Sequence, residues 1–281
     1  MEVSDRAAQV IAGLFEKATG QRFTEERFWR IGTTLTPFCK ARGIGSFDQL
    51  ASILARSADP ELSLDIIDAL LNNETSFFRD PNVFTQIDRH ILPRLAASRQ
   101  DVKRLRLWSA ACSSGQEAYS LAIMLAEQAE RWAGWKIEII GSDISRSAIA
   151  KARSALFTQL EVQRGLPIRQ LVGWFDPVLD RGWRAKPALT SLVTFARHNL
   201  LGPPLAGGRF DLILCRNALL YFSPERKHQM LEGLSLALAS DGALLLGAGE
   251  TALGNSARFV SDPALPMVYR SAAHARFTNA A

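Results

Sequence analysis

The sequence predicts an α/β fold with a largely parallel sheet, preceded by a small all-helical domain and interrupted by a small inserted subdomain. Three observations carry this. In the first 70 residues apolar positions recur at helical spacing. From Arg104 onward, short β-rich runs alternate with helical ones, the pattern of a parallel sheet that binds ligands at the carboxyl ends of its strands. Between about 162 and 192, the prolines and glycines of RGLP and FDPVLDRGWRAKP fit no strand–helix–strand unit.

Taken in order, QVIAGLFEKATG, TEERFWRIGTTLTPFCKARG, FDQLASILAR and ELSLDIIDALL read as helices separated by glycine-rich or Asp-Pro breaks, giving a helical domain over 1–80. Asp80 and Pro81 suit the N-cap and first position of a further helix, because proline lacks the N–H that would be orphaned there. Residues 81–103 then form a helical and basic connector. The α/β domain spans 104–281: strands RLRLWSA and KIEIIGSD flank a helix QEAYSLAIMLAEQAERW, followed by strands LVTFARHNL and FDLILCRN, helix PERKHQMLEGLSLALAS and strand GALLLGAG. MVYRS fits an antiparallel addition.

The 281 residues, 47% hydrophobic, suffice for a substantial core. No apolar run approaches the roughly 20 residues that span a bilayer, and MEVSDRAAQV lacks the apolar region of a secretory signal, so the protein is expected in the cytoplasm and not inserted in a membrane. Three scattered cysteines, Cys39, Cys112 and Cys215, form no disulfide or zinc framework, and no metal is expected. The net charge is +5, and between 145 and 216 eleven basic residues face four acidic ones, a balance that favours an acidic partner. No motif with interleaved aromatics accompanies the arginines, which argues against nucleic acid.

A strand, a small-residue turn (ACSSGQEAYS), a helix, and an acid, Asp143, at the tip of the next strand is the layout that binds an adenosine-containing cofactor through its ribose hydroxyls. The turn has the single glycine Gly115, so a dinucleotide pyrophosphate would be poorly cradled and S-adenosylmethionine is the better candidate. Ser114 and Glu117 are also spaced as a capping box, against which stands Glu117 as partner of an amino-acid ammonium. Asp143 equally precedes a helix N-cap at Ser145. Asn217 ends a buried strand, where an amide needs partners. Phe77 and Phe78 read as core contacts, and Cys112 and Cys215 as small apolar fillers.

The blocks NNETSFFRD, WSAACSSGQEAYS, SDIS, FARHNLL, FDLILCRNALLYF and LLLGAGE, in this order, resemble the chemotaxis-receptor glutamate O-methyltransferases of the CheR type over about residues 10–271. The resemblance implies a Rossmann-like S-adenosylmethionine-dependent methyltransferase domain with a small inserted antiparallel β-subdomain, preceded by an all-helical domain. It assigns cofactor contacts to Asn73, Thr75, Arg79, Glu117, Asp143, Asn199, Leu200, Arg216 and Asn217, and puts Tyr221 near the transferred methyl group. An arginine fork matches the carboxylate of S-adenosylmethionine, and Arg79 is the residue expected to meet it.

The implied acceptor is a glutamate on the cytoplasmic helical bundle of a chemotaxis receptor, with the enzyme a monomer. A non-catalytic S-adenosylmethionine-binding adaptor and a methyltransferase for another acceptor remain as alternatives. Gln116, Ala118 and Ser240-Asp241-Gly242 depart from the family pattern without touching an expected cofactor contact. The insertion is short and lacks a glycine-rich loop, so recognition of the receptor is expected without a C-terminal pentapeptide tether.

Overall fold

The computed structural model describes residues 1–56 and 59–273; the last eight positions of the expected 104–281 domain lie outside the described residues. Contacts group the chain into two compact units. The first comprises Met1–Asn72 with Tyr221–Arg226, and the second the remainder, including residues 73–80.

The first unit is helical: α1 (Asp5–Thr19), α2 (Trp29–Ala41), α3 (Phe47–Arg56) and α4 (Pro60–Leu70). Three of these boundaries have a clear local cause. Ser4 caps α1 by accepting from Ala7 N–H, and Gly20 ends it at φ 74°. Asp59 caps α4 with Pro60 in its first turn. Phe15, Ile31, Leu35, Phe47, Leu50, Ile66 and Leu70 are the fully buried stripe of these helices. Tyr221 and Phe222 belong here too: Gln21 and Phe222 form an antiparallel bridge, and Arg22 N–H donates to the Tyr221 carbonyl at 2.8 Å.

The second unit opens with α5 (Pro81–Gln86), a wide π-turn over Ile87–Ile91, and α6 (Leu92–Ser98). The widening has a cause in Pro93, which has no N–H to return to the preceding turn. There follow β1 (Arg104–Ala110), α7 (Gln116–Ala126), β2 (Lys136–Asp143), α8 (Arg146–Ser154), β3 (Leu156–Phe157), α9 (Gln159–Gln163), α10 (Ile168–Trp174), β4 (Phe175–Val178), β5 (Gly182–Ala185), α11 (Pro187–Thr190), β6 (Val193–Arg197), β7 (Phe210–Cys215), α12 (Pro224–Ala237), β8 (Leu238–Leu246), β9 (Phe259–Ser261) and β10 (Val268–Ser271).

Seven strands form one sheet in the order β6-β2-β1-β7-β8-β10-β9. All pairings from β6 to β8 are parallel, and β10 runs antiparallel to both neighbours, as expected for MVYRS. From β1 the chain order runs outward through β2 to β6 on one side, while β7 and β8 lie on the other. The order therefore reverses between β1 and β7, and the crevice outside the carboxyl ends of those strands is where such sheets bind ligands.

The inserted subdomain is a separate antiparallel sheet, β3-β5-β4. It begins at Leu156, ahead of the expected residue 162, because β3 pairs with the insertion's own β5. Gly182 (φ 110°) is required at this junction, since a Cβ there would lie 2.2 Å from the Phe157 carbonyl.

Two helices end earlier than their periodicity predicts. The chain leaves α7 at Ala126 and turns so that buried Trp132 packs edge-on against Trp135, with centroids 5.2 Å apart. After α12, Leu238 already pairs with Phe210 as the first residue of β8. Tertiary packing overrides propensity at both places. The short β9 was not apparent in the sequence.

Candidate active site

The expected cofactor residues all belong to the second unit, in the Asn73–Asp80 segment, at the start of α7, and at the carboxyl ends of β2, β6 and β7, whereas Tyr221, expected near the transferred methyl group, belongs to the first. The turn after β1 sets the frame. Ala111 (φ 58°), Ser113 (φ 50°) and Gly115 (φ 93°) are all left-handed, which compresses the link to α7. Gly115 is required by packing: a Cβ there would meet Ala152 Cβ at 2.9 Å and the Phe195 ring at 3.0 Å. The capping box does not form. Gly115 occupies the N-cap with no side-chain bond, Ser114 donates to Gln116 Oε1, and Glu117 turns elsewhere.

Asp143, 8% exposed at the tip of β2, accepts from Ser113 N–H at 2.8 Å and from Ser145 N–H at 2.9 Å. It also precedes Ser145, which caps α8 by accepting from Ala148 N–H, as the alternative reading of the sequence expects. Asn73 is drawn into the same cluster. Its carbonyl accepts from Ser113 Oγ at 2.7 Å and its amide donates to Ser145 Oγ at 3.3 Å. Beyond β6, His198 N–H donates to the Asp143 carbonyl, and Asn199 Oδ1 accepts from Leu201 N–H, fixing the Asn199–Leu200 turn one residue on.

A second cluster centres on Arg216, just past β7, whose side chain is 2% exposed. It donates to Glu117 Oε2 at 3.0 Å, to the Arg79 carbonyl at 2.9 Å, and to the Asp80 carboxylate. The other Glu117 oxygen accepts from Ser109 Oγ at 2.8 Å. Arg216 thus braces the loop that carries Arg79 and fixes Glu117. Its Nε–H is buried with no partner among the described residues. Asp80 sits at the N-cap of α5 but in the left-handed region (φ 58°), without a capping bond, because its carboxylate turns to Arg216.

Arg79 behaves differently. Its guanidinium donates only to the Glu74 carbonyl, at 3.3 Å, and has no carboxylate partner among the described residues. Thr75 is half-buried nearby in sequence, and Asn217 (φ 58°) stands half-buried at the end of β7; neither side chain has a hydrogen bond among the described residues. Phe77 and Phe78 lie in the core: Phe77 packs edge-on against Phe157 and Phe175, and Phe78 against Phe84. Gly165 (φ 86°) tolerates no Cβ, which would lie 2.0 Å from the Phe77 carbonyl.

Burial pushes the Cys112 and Cys215 thiols well above their ordinary range, with nearby carboxylates adding to it, Asp143 and Glu117 for Cys112 and Glu250 and Glu117 for Cys215. They remain inert fillers.

In the first unit, the Tyr221 hydroxyl accepts from Asn72 Nδ2 at 2.7 Å, and the Arg27 guanidinium lies 5.3 Å from its ring centroid. Part of the basic excess between 145 and 216 is committed internally: Arg153 and Arg197 donate to backbone carbonyls, Lys151 and Arg164 pair with Glu161 and Glu74, and Arg216 is buried. Sequence reasoning missed Ser113, Asp80 and Asn72. Asp80 carried a signal, but the same Asp-Pro step serves a plain cap.

The residues fit a zwitterionic nucleoside. Arg79 offers a cation with no internal anion, Glu117 and Asp143 offer fixed carboxylates, and Asn217 an uncommitted amide. Among the described residues no cluster of three or more His, Cys, Asp or Glu is arranged to hold a metal ion, and no helix is long and apolar enough to cross a membrane.

Comparison with known proteins agrees with this chemistry. The family described as "CheR methyltransferase, SAM binding domain" matches residues 73–264. A chemotaxis protein methyltransferase of Vibrio parahaemolyticus is 32% identical over 259 residues, covering 92% of this chain and 93% of that one. A chemotaxis protein methyltransferase of Pseudomonas aeruginosa is 33% identical, covering 91% and 93%. The protein named chemotaxis protein methyltransferase Cher2 of Pseudomonas putida is 33% identical, covering 85% and 88%.

Proposed function

The chain belongs to the CheR methyltransferase family, with an S-adenosylmethionine-binding domain, and on that premise we propose that it methylates glutamate side-chain carboxylates of chemotaxis receptors. The observation that supports this most directly is Arg79: an arginine without an acidic partner among the described residues, in a loop braced at its own carbonyl by Arg216. A lone guanidinium held by its backbone is suited to receive an amino-acid carboxylate through two charge-assisted hydrogen bonds.

In this reading Arg79 takes the carboxylate of S-adenosylmethionine, with Asn73 and Thr75 alongside it. Glu117 faces its ammonium, Asp143 its ribose hydroxyls, Asn199 and Leu200 its adenine, and Asn217 a remaining polar atom. Arg216 acts through Glu117 and the Arg79 loop, to which its two terminal nitrogens donate. When bound, S-adenosylmethionine supplies a methyl group already activated by its sulfonium.

The acceptor glutamate, with an ordinary pKa of about 4.3, is ionised at neutral pH, so no general base is required of the protein. What remains is alignment in a water-poor setting. A cation gripping the attacking carboxylate would lower its nucleophilicity. A neutral hydroxyl orients it at smaller electrostatic cost, and we assign that part to Tyr221. Because its oxygen accepts from Asn72, its own proton is left to be donated. We further propose that the receptor's helical bundle is recognised directly, without a pentapeptide tether.

Incubation with methyl-labelled S-adenosylmethionine and receptor-bearing membranes tests the proposal. Base-labile label on the receptor band is the expected result. Cofactor binding without label on any receptor would instead favour an adaptor. Calorimetric titration with a receptor C-terminal pentapeptide is expected to give no tight binding; tight binding would overturn tether independence.

A further inference from the structure

Glu250 is a buried carboxylate, 9% exposed, with no cation among its bonded partners in the described residues. Its bonds go instead to three backbone amides. Oε1 accepts from Leu219 N–H at 2.7 Å, and Oε2 accepts from Asn217 N–H and Gly247 N–H, each at 2.8 Å. The carboxylate therefore joins the turn after β8 to the turn after β7, the strand that borders the point where the sheet order reverses. Desolvating a carboxylate is costly unless it is well bonded, so a buried glutamate here calls for a reason beyond filling space.

The backbone it holds supplies that reason. Asn217 has φ 58°, a conformation that non-glycine residues adopt at a cost. Its N–H and that of Leu219 are the groups that a carboxylate on this side captures. The site is also closed around the clamp: a Cβ on Gly247 would lie 2.7 Å from Glu250 Oε2, 3.0 Å from Asn217 N and 3.2 Å from Asn217 Nδ2.

We infer that Glu250 is a positioning residue for the methyl-transfer site, holding Asn217 in its left-handed conformation so that the carboxamide meets the bound nucleoside. The inference rests on the cofactor reading above. Arg216 braces one flank of the strand tip through the Arg79 loop, and Glu250 holds the next residue from the other. Glutamine at 250 keeps the volume but retains one acceptor oxygen where the carboxylate uses two.

A double-mutant cycle on S-adenosylhomocysteine affinity, measured by calorimetry alongside melting temperature, tests it. Glu250→Gln and Asn217→Ala are each expected to weaken binding about tenfold, the worth of one displaced hydrogen bond, and the double variant to be no weaker than the weaker single one. A merely structural glutamate would lower the melting temperature and leave the two effects multiplicative. Losses that multiply in the double variant, or an unchanged affinity for Glu250→Gln, would overturn the inference.

Should Glu250→Gln fail to fold, Gly247→Ala, which presses on the same clamp, carries the test with the same expectations in combination with Asn217→Ala. Wild-type protein that bound no S-adenosylhomocysteine would refute the cofactor reading itself. Wild-type binding lost in Arg79→Ala but intact in Glu250→Gln would refute only the role of Glu250.

Discussion

Two arginines hold opposite ends of the seven-stranded sheet, and they are built differently. At the amino end, Arg99 is fully matched: it donates through Nε to Asp211 at 2.8 Å and through both terminal nitrogens to Asp241 at 2.7 and 2.6 Å. Asp211 also accepts from Arg106 N–H at 2.9 Å. At the carboxyl end, Arg216 is more deeply buried and stands beside Arg79; among the described residues the Nε–H of Arg216 has no partner and Arg79 has no acidic partner. Complete pairing serves the fold. Incomplete pairing, held rigidly, is what a site for an outside anion requires. Asp241, one of the departures from the family pattern, falls on the complete side and away from the expected cofactor contacts.

The sharpest way to break this contrast is Arg216→Ala. It strands Glu117 and Asp80 and is expected to cost about 3–5 kcal/mol of stability, the range for removing one partner of a buried ion pair, read from urea denaturation. Arg79→Ala should show the converse. S-adenosylhomocysteine affinity should fall about a hundredfold, as for losing a charged partner worth roughly 2–3 kcal/mol, while the urea midpoint stays within error. Equal stability losses in the two variants would erase the distinction between brace and receiver.

Arg79→Lys sharpens it further. Charge survives but the two-pronged fork does not, so a loss of only about tenfold is expected.

The smallest effect lies at the amino end. Arg99 hydrogen bonding holds the Asp241 carboxyl below its ordinary value of 3.8. A carboxylate whose folded pKa is depressed stabilises above its unfolded pKa, and that stability is lost as pH falls through the folded one. Asp241→Asn should therefore flatten part of the acid limb of a stability–pH profile below about pH 4, while S-adenosylhomocysteine affinity is unchanged. A change in affinity would show that the two ends of the sheet are coupled.

Much of the fold was legible because it is written locally. Alternating strand and helix periods, the terminal addition MVYRS and the irregular insertion each depend on neighbouring residues. Asp143 was legible for the same reason, being the acid at the end of a β-rich run. Helix ends were less so where a long-range partner intervened, as Phe210 does for Leu238. Ser114 and Glu117 had capping-box spacing, yet Glu117 is claimed by Ser109 and Arg216, and no cap forms.

By itself, then, the sequence determined the order of elements, the strand-tip acid and the family to which the blocks belong, since these follow from residue spacing along the chain. Only the tertiary structure decided which arginine is locked and which is open. Arg216 finds Glu117 and Asp80 across 99 and 136 positions of sequence, and Glu250 finds Asn217 across 33. Ion pairs and backbone clamps depend on distance in space, and spacing in sequence does not encode that distance until the sheet has brought its strand ends together.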